Sequence, residues 1–328
     1  MRLVYYGTPA LAVPPLQRLH RDGRAPILVV TGPDKPSGRG LESGPSPVRR
    51  AAETLGLPVV TPERAGAADS LAQIRALAPD LLVVAAYGQI FPPSLLTVAR
   101  LGALNLHYSL LPRWRGAAPV QAAIVAGDPE SGVTTMWMTE GLDEGPIFLA
   151  RTTPIGPDED AGTLGARLAA LGSDCLAETL DRIERGEIAK TPQDSARATF
   201  APKVRSEDAR LRLDDAALLL ARRVRAYTPE PGAYLALREG RLLVLAAEAG
   251  DADAPATGGG AAPDLASSAV PGTILRVDPS RGLLIALAKG ALWLRRVKPA
   301  GRREMGAADY ANGARLKPGA TLPLEDAA

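Results

Sequence analysis

The sequence predicts an α/β protein with a doubly wound, mostly parallel sheet, followed by a small β-barrel. Three observations carry this. In the first half, short apolar runs alternate with helix-like stretches, the pattern of strand–helix–strand units. One run, Asp80 to Ala86 (DLLVVAA), is apolar almost throughout, as a strand buried on both faces must be. After about residue 206 the pattern changes to one helix and then several short runs separated by turn residues, which suggests a barrel.

Taken in order, Arg2 to Tyr6 is a β-rich run ending at the Gly7-Thr8-Pro9 turn. A helix follows to His20, with Pro14 and Pro15 tolerable only in its first turn. Pro26 to Thr31 is a second strand, Pro47 to Gly56 a helix, Leu57 to Val60 a strand and Ala67 to Leu77 a helix. The strand at 80–86 comes next, then one at Leu101 to Leu106. Pro112 cannot continue a ladder and marks its end. Ala117 to Ala126 reads as a helix, Arg151 to Thr153 as a later strand, and Ala161 to Gly186 as a long helix. Residues 190–205 read as an extended linker. Beyond it, Leu211 to Tyr227 reads as one helix. Barrel strands are expected at Ala233 to Leu237, Leu242 to Ala246, Gly272 to Val277, Gly282 to Ala288 and Ala291 to Val297. Gly250 to Ser268 is low in complexity, with too few apolar groups to pack, and is expected to be a disordered loop. The division expected is a first domain over 1–189, the linker over 190–205, and a second domain over 206–328.

Composition narrows the function. With 328 residues, 46% hydrophobic and 23% charged, the chain reads as a soluble two-domain protein. A net charge of +2 gives no global field for nucleic acid, so any such partner must be met by local patches. The lone cysteine, Cys175, allows no internal disulfide and fits a reducing cytoplasm. It reads as a buried helix residue. Two histidines and one cysteine are a poor supply for a zinc site, so no metal is expected. No run approaches the roughly 20 apolar residues of a membrane span. Met1-Arg2 leads straight into a strand, so no leader is expected. The first glycine turn lacks GxGxxG, which argues against a dinucleotide site.

Chemistry concentrates between Leu101 and Gly145. Asn105 and His107 are two apart on a predicted strand, so they share a face and can converge on one substrate atom. Asp143 follows in a turn-like stretch, Gly141-Leu142-Asp143-Glu144-Gly145. An amide, an imidazole and a carboxylate can polarise a carbonyl and move a proton. Alone, each has a duller reading, as a turn amide or a satisfied core histidine. Further groups stand out elsewhere. The loop from Thr31 to Gly40 is long, rich in Pro and Gly, and carries Lys35 and Arg39. Arg295, Arg296, Lys298, Arg302 and Arg303 form the densest basic cluster, either a solvated face or a track for an RNA backbone.

The stretch LGALNLHYSLLPRWRGAAPVQAAIVAGDPESGVTTMWMTEGLDEG, Leu101 to Gly145, resembles a known signature. It is that of the 10-formyltetrahydrofolate-dependent formyltransferases, NxHxSLLPxxRGAAPxQxAIxxGD…TGVTxMxMxxGLDTG. It departs at Ser131 and Glu144, where the family has Thr, and at Pro146, where it has Asp. The GTP turn at 7–9, the PDKPSGRG loop, the APK at 201–203 and the PGTIL at 271–275 extend the resemblance over nearly the whole chain. It implies a formyltransferase-type sheet and an OB-like barrel. It implies formyl transfer from 10-formyltetrahydrofolate to the α-amine of methionyl initiator tRNA, by a cytoplasmic monomer. Asn105, His107 and Asp143 are then catalytic, and Ser109, Leu110, Leu111 and Pro112 bind the folate. Lys35 and Arg39, with the barrel cluster, are expected to meet tRNA. Leu41-Glu42-Ser43 stands where many members carry two lysines, so that loop is expected to contribute less. A second reading is a small-amine formyltransferase of the same fold, acting on a ribonucleotide or an amino sugar nucleotide. A third is an RNA-binding protein with an inactive α/β domain, which the intact triad disfavours.

Overall fold

The computed structural model describes residues 1–36, 43–250 and 269–325. They divide into two units. The first holds Met1–Val120, Pro129–Ile155 and Leu164–Lys203. The second holds Gln121–Asp128, Gly156–Thr163 and the residues from Val204 onward.

The first unit is built on seven strands: β1 (Leu3–Gly7), β2 (Leu28–Val30), β3 (Val59–Val60), β4 (Leu81–Ala85), β5 (Ala103–His107), β6 (Glu130–Trp137) and β7 (Ile147–Pro154). Their order is β7-β6-β5-β4-β1-β2-β3. The chain begins in the middle, moves outwards through β2 and β3, then returns to the other side of β1. This is double winding, and it makes β1 to β5 parallel. β6 and β7 add an antiparallel edge. Every residue of β1, β4 and β5 is buried, which explains their unbroken apolar character.

Helices α1 (Val13–Arg21), α2 (Pro47–Thr54) and α3 (Ala68–Ala76) join the parallel strands. Pro14 and Pro15 fall in the first turn of α1, where no hydrogen bond is lost. Ser46 caps α2 by accepting the Arg49 N–H at 3.0 Å. Val4, Tyr6, Val30, Leu82 and Val84 meet Ile74, Phe91 and Leu95 in one core cluster. Short α4 (Pro93–Leu96) follows β4, α5 (Pro119–Ala126) precedes β6, and α6 (Ala161–Glu184) follows β7. The stretch expected as a linker bonds to this first unit. Thr191 exchanges backbone hydrogen bonds of 2.8 and 2.9 Å with Ile147, and Phe200–Ala201 pairs in parallel with Arg115–Gly116.

In the second unit the expected helix from Leu211 to Tyr227 is shorter, α7 (Ala217–Ala226). Tertiary hydrogen bonds take the missing turns: Leu211 N–H donates to Tyr234 O, and Leu213 O accepts from Ala288 N–H, each at 2.8 Å. Strands β8 (Tyr234–Leu237), β9 (Gly240–Gly250), β10 (Ile274–Asp278), β11 (Gly282–Ala286) and β12 (Ala291–Pro299) form an antiparallel sheet ordered β8-β9-β12-β11-β10. The tail bonds beside both edge strands. Ala320 O accepts from Ile274 N–H at 2.7 Å, and Glu325 N–H donates to Ala236 O at 2.9 Å. It thereby spans the gap between β10 and β8, as closing a barrel requires. Sequence reasoning did not anticipate the last helix, α8 (Ala307–Gly313). The low-complexity loop lies, at 251–268, outside the described residues. Among the described residues no helix is long and apolar enough to cross a membrane.

Candidate active site

Asn105 and His107 lie two apart on β5, nearly buried at 9% and 5% exposure. They share one face of the sheet. Two loops fold over it, one following β5 and one following β6. From the first, the Trp114 carbonyl accepts from His107 Nε2 at 2.9 Å. From the second comes Asp143. Its Oδ1 accepts from Asn105 Nδ2 at 3.3 Å, and its Oδ2 accepts from the Gly116 N–H at 2.8 Å. The same Oδ2 stands 3.6 Å from His107 Nδ1. The structure therefore brings together the three side chains that the sequence singled out.

Local backbone geometry makes this possible. Trp114 (φ 63°) and Asp143 (φ 48°) occupy the left-handed region, at a cost of about 1–3 kcal/mol each for a side-chain-bearing residue. Gly116 has φ 123°, and a Cβ there would lie 2.5 Å from the Ala201 carbonyl oxygen. Only glycine fits, and its N–H is left pointing at Asp143. Neighbouring Glu144 is exposed and takes no part in the cluster.

The proton inventory follows from the contacts. A carbonyl only accepts, so His107 Nε2 carries a proton. In the neutral ring Nδ1 is then a lone pair, facing a carboxylate oxygen. His107 Nε2 is engaged by the Trp114 carbonyl, whereas Asn105 Nδ2 keeps a second N–H beyond the one it gives Asp143. Tyr108, next to His107 in the chain, is not a base: burial raises its pKa, and its hydroxyl donates to Leu11 O at 2.9 Å.

The turn Ser109-Leu110-Leu111-Pro112 follows directly. Its polar groups serve the fold: Ser109 Oγ donates to Arg113 O at 2.6 Å, and Leu111 N–H donates to Thr134 Oγ1 at 3.3 Å. Thr134 Oγ1 in turn donates to Ser109 O at 2.7 Å. Leu110 and Pro112 present part-exposed apolar surface. Lys35 sits in a short ladder, its backbone opposite Gly44. Arg39 lies outside the described residues. The basic cluster is in the second unit, with Arg295, Arg296 and Lys298 on β12 and Arg302 and Arg303 just beyond it. Arg295 Nη1 donates to Glu248 Oε2 at 2.8 Å, while Arg296, Arg302 and Arg303 are exposed.

Sequence reasoning missed three supporting residues. Thr134 is opposite His107 in register but looks like any β-branched strand residue. Arg115 passed as part of a basic turn, yet it is buried and donates to Gln193. Gln193 lay in the expected linker. Only the Pro192 next to it hinted at a fixed backbone.

Comparisons place these features among known proteins. The profile described as "Formyl transferase" matches residues 1–180, and "Formyl transferase, C-terminal domain" matches 203–315. The chain is 49% identical to a methionyl-tRNA formyltransferase of Halorhodospira halophila, covering 97% of this chain and 98% of that one. It is 44% identical to one of Thermus thermophilus, covering 98% and 99%. Among solved structures, an N-formyltransferase of Helicobacter canadensis aligns with a TM-score of 0.59 at 14% identity, over 90% of this chain and 98% of that one. A HypX variant of Aquifex aeolicus aligns with a TM-score of 0.63 at 19% identity, over all of this chain and half of that one. These two likenesses concern the fold. The profile matches and full-length identities show that the chain belongs to the formyl transferase family.

Proposed function

We propose that this chain transfers a formyl group from 10-formyltetrahydrofolate to the free α-amine of methionyl initiator tRNA. The product, N-formylmethionyl-tRNA, serves translation initiation in the cytoplasm. The observation that carries this reading is the meeting of Asn105, His107 and Asp143 on one sheet face. The names of full-length relatives support the tRNA as acceptor.

The neutral amine attacks the formyl carbon, forming a C–N bond and a tetrahedral oxyanion. Asn105 Nδ2 donates to that oxygen. The ammonium proton of the adduct passes to the His107–Asp143 pair. Collapse breaks the bond between the formyl carbon and the folate nitrogen, and the pair returns the proton to that nitrogen. The Leu110 and Pro112 surface packs against the folate. Residues 1–189 carry this chemistry, and 190–205 join them to a tRNA-binding domain over 206–328. There Arg295, Arg296, Lys298, Arg302 and Arg303 meet phosphates, and Lys35 and Arg39 add contacts from the first domain. The protein acts as a monomer and needs no metal.

The second reading, a small amine as acceptor, draws on the fold shared with a sugar N-formyltransferase-like structure. Formyl transfer to charged initiator tRNA, run beside a glycinamide ribonucleotide and an amino sugar nucleotide, separates the two. Product on the tRNA is expected. Turnover of a small amine with none on the tRNA overturns the proposal.

A further inference from the structure

Asp143 holds its carboxylate in place from a left-handed backbone, which persists only where surrounding contacts over-determine it. Those contacts come from 50 residues further along the chain. Gln193 Nε2 donates to the carbonyl oxygens of Asp143, at 2.8 Å, and Gly145, at 2.7 Å. Both amide N–H groups are thereby used. Gln193 Oε1 accepts two more hydrogen bonds, from Arg115 Nε at 3.1 Å and Nη2 at 2.9 Å. A flipped amide would set N–H groups against the guanidinium, so Arg115 fixes the orientation. Arg115 is 5% exposed and has little freedom to swing away.

Gln193 is itself anchored on both sides. Thr191 is bridged to Ile147, and Asp194 Oδ1 accepts the Ala196 N–H at 3.0 Å. Three consecutive residues each secure one part of the site. Trp114 holds the His107 ring, Arg115 holds Gln193, and Gly116 holds the Asp143 carboxylate.

We infer that Gln193 is a positioning residue. It clamps the backbone of the loop at Asp143 and Gly145, with Arg115 orienting its amide, so that the carboxylate is pre-set between Asn105 and His107. The inference rests on the reading of Asp143 as the carboxylate that handles the proton.

The test is Gln193→Met, which keeps length and removes every hydrogen bond. Small displacements of a catalytic group are costly, so turnover should fall by about 10- to 100-fold. KM for folate donor and amine acceptor should stay within about twofold, since neither substrate is touched. A second readout needs no turnover. The chain has two histidines, so a His20→Gln background leaves the ring nitrogens of His107 as the sole imidazole signals in ¹⁵N spectra. Gln193→Met should displace the Nδ1 signal, because the carboxylate facing it moves. Gln193→Glu keeps the Arg115 contact but gives up the carbonyl clamp, and should behave alike if Gln193→Met folds poorly. Wild-type turnover and unmoved ring signals, beside an inactive Asp143→Asn, overturn the inference. A fully active Asp143→Asn instead removes the reading of Asp143. The ring signals then still decide whether Gln193 clamps the loop.

Discussion

His107 donates its Nε2–H to the carbonyl oxygen of Trp114 across 2.9 Å, and this leaves Nδ1 to face Asp143. Trp114 can present that carbonyl because its own φ is 63°. A backbone oxygen thus places a proton on Nε2 and leaves Nδ1 turned toward the carboxylate.

In the proposed mechanism Asn105 donates to the oxyanion. Asn105→Ala should lower turnover by about 10²–10³ while leaving folate binding nearly unchanged, since such donors act mainly in the transition state. His107→Ala, which removes the proton acceptor, should lose a similar amount. Steady-state kinetics and folate titration check both. Near-normal turnover in either variant would withdraw its role.

Asp143→Asn keeps the shape and removes the charge. Asparagine tolerates the left-handed backbone, so the variant should melt close to the wild type. Its turnover should fall by about 10²–10⁴, the usual worth of positioned acid–base groups. Glu144→Gln should remain close to wild type, because Glu144 is exposed and outside the hydrogen-bonded cluster. Turnover across pH, with thermal melts beside it, makes the comparison. An active Asp143→Asn next to an inactive Glu144→Gln would move the role one residue along.

Neutralising Arg296, Lys298, Arg302 and Arg303 together should weaken tRNA binding and flatten its salt dependence. The log–log slope should fall by about 0.7–0.9 for each phosphate no longer neutralised. Arg295→Gln should matter less, because Glu248 already holds that guanidinium. Turnover at saturating tRNA should be spared. Binding isotherms at several salt concentrations decide it, and an unchanged slope would return the cluster to a solvated face.

Cys175 is buried in α6, and burial pushes its thiol up to about 11. An unfolded thiol ionises near about 8.5. The folded protein therefore disfavours the thiolate, and this contribution to stability, complete below that pH, is lost as pH rises towards 11. At pH 8 a disulfide reagent should label the native chain at least about 100-fold more slowly than the denatured one. Equal rates would mean that the helix leaves the thiol accessible.

The sequence by itself determined the five parallel strands and the shared face of Asn105 and His107, but not the antiparallel strand Glu130–Trp137 beside them. Continuous burial leaves an apolar run, as in β4, and strand periodicity is local, so one stretch of chain suffices to read both. It also determined the family, through motifs spread along the chain. Tertiary structure alone decided how Asp143 reaches its partners, which nitrogen of His107 carries the proton, and that Gln193 belongs to the first unit. It also cut α7 short, by giving Leu211 and Leu213 hydrogen-bond partners in the barrel. The physical reason is common to all of these. A hydrogen bond between residues tens of positions apart fixes a backbone or a tautomer without leaving any periodic mark on the residues that make it.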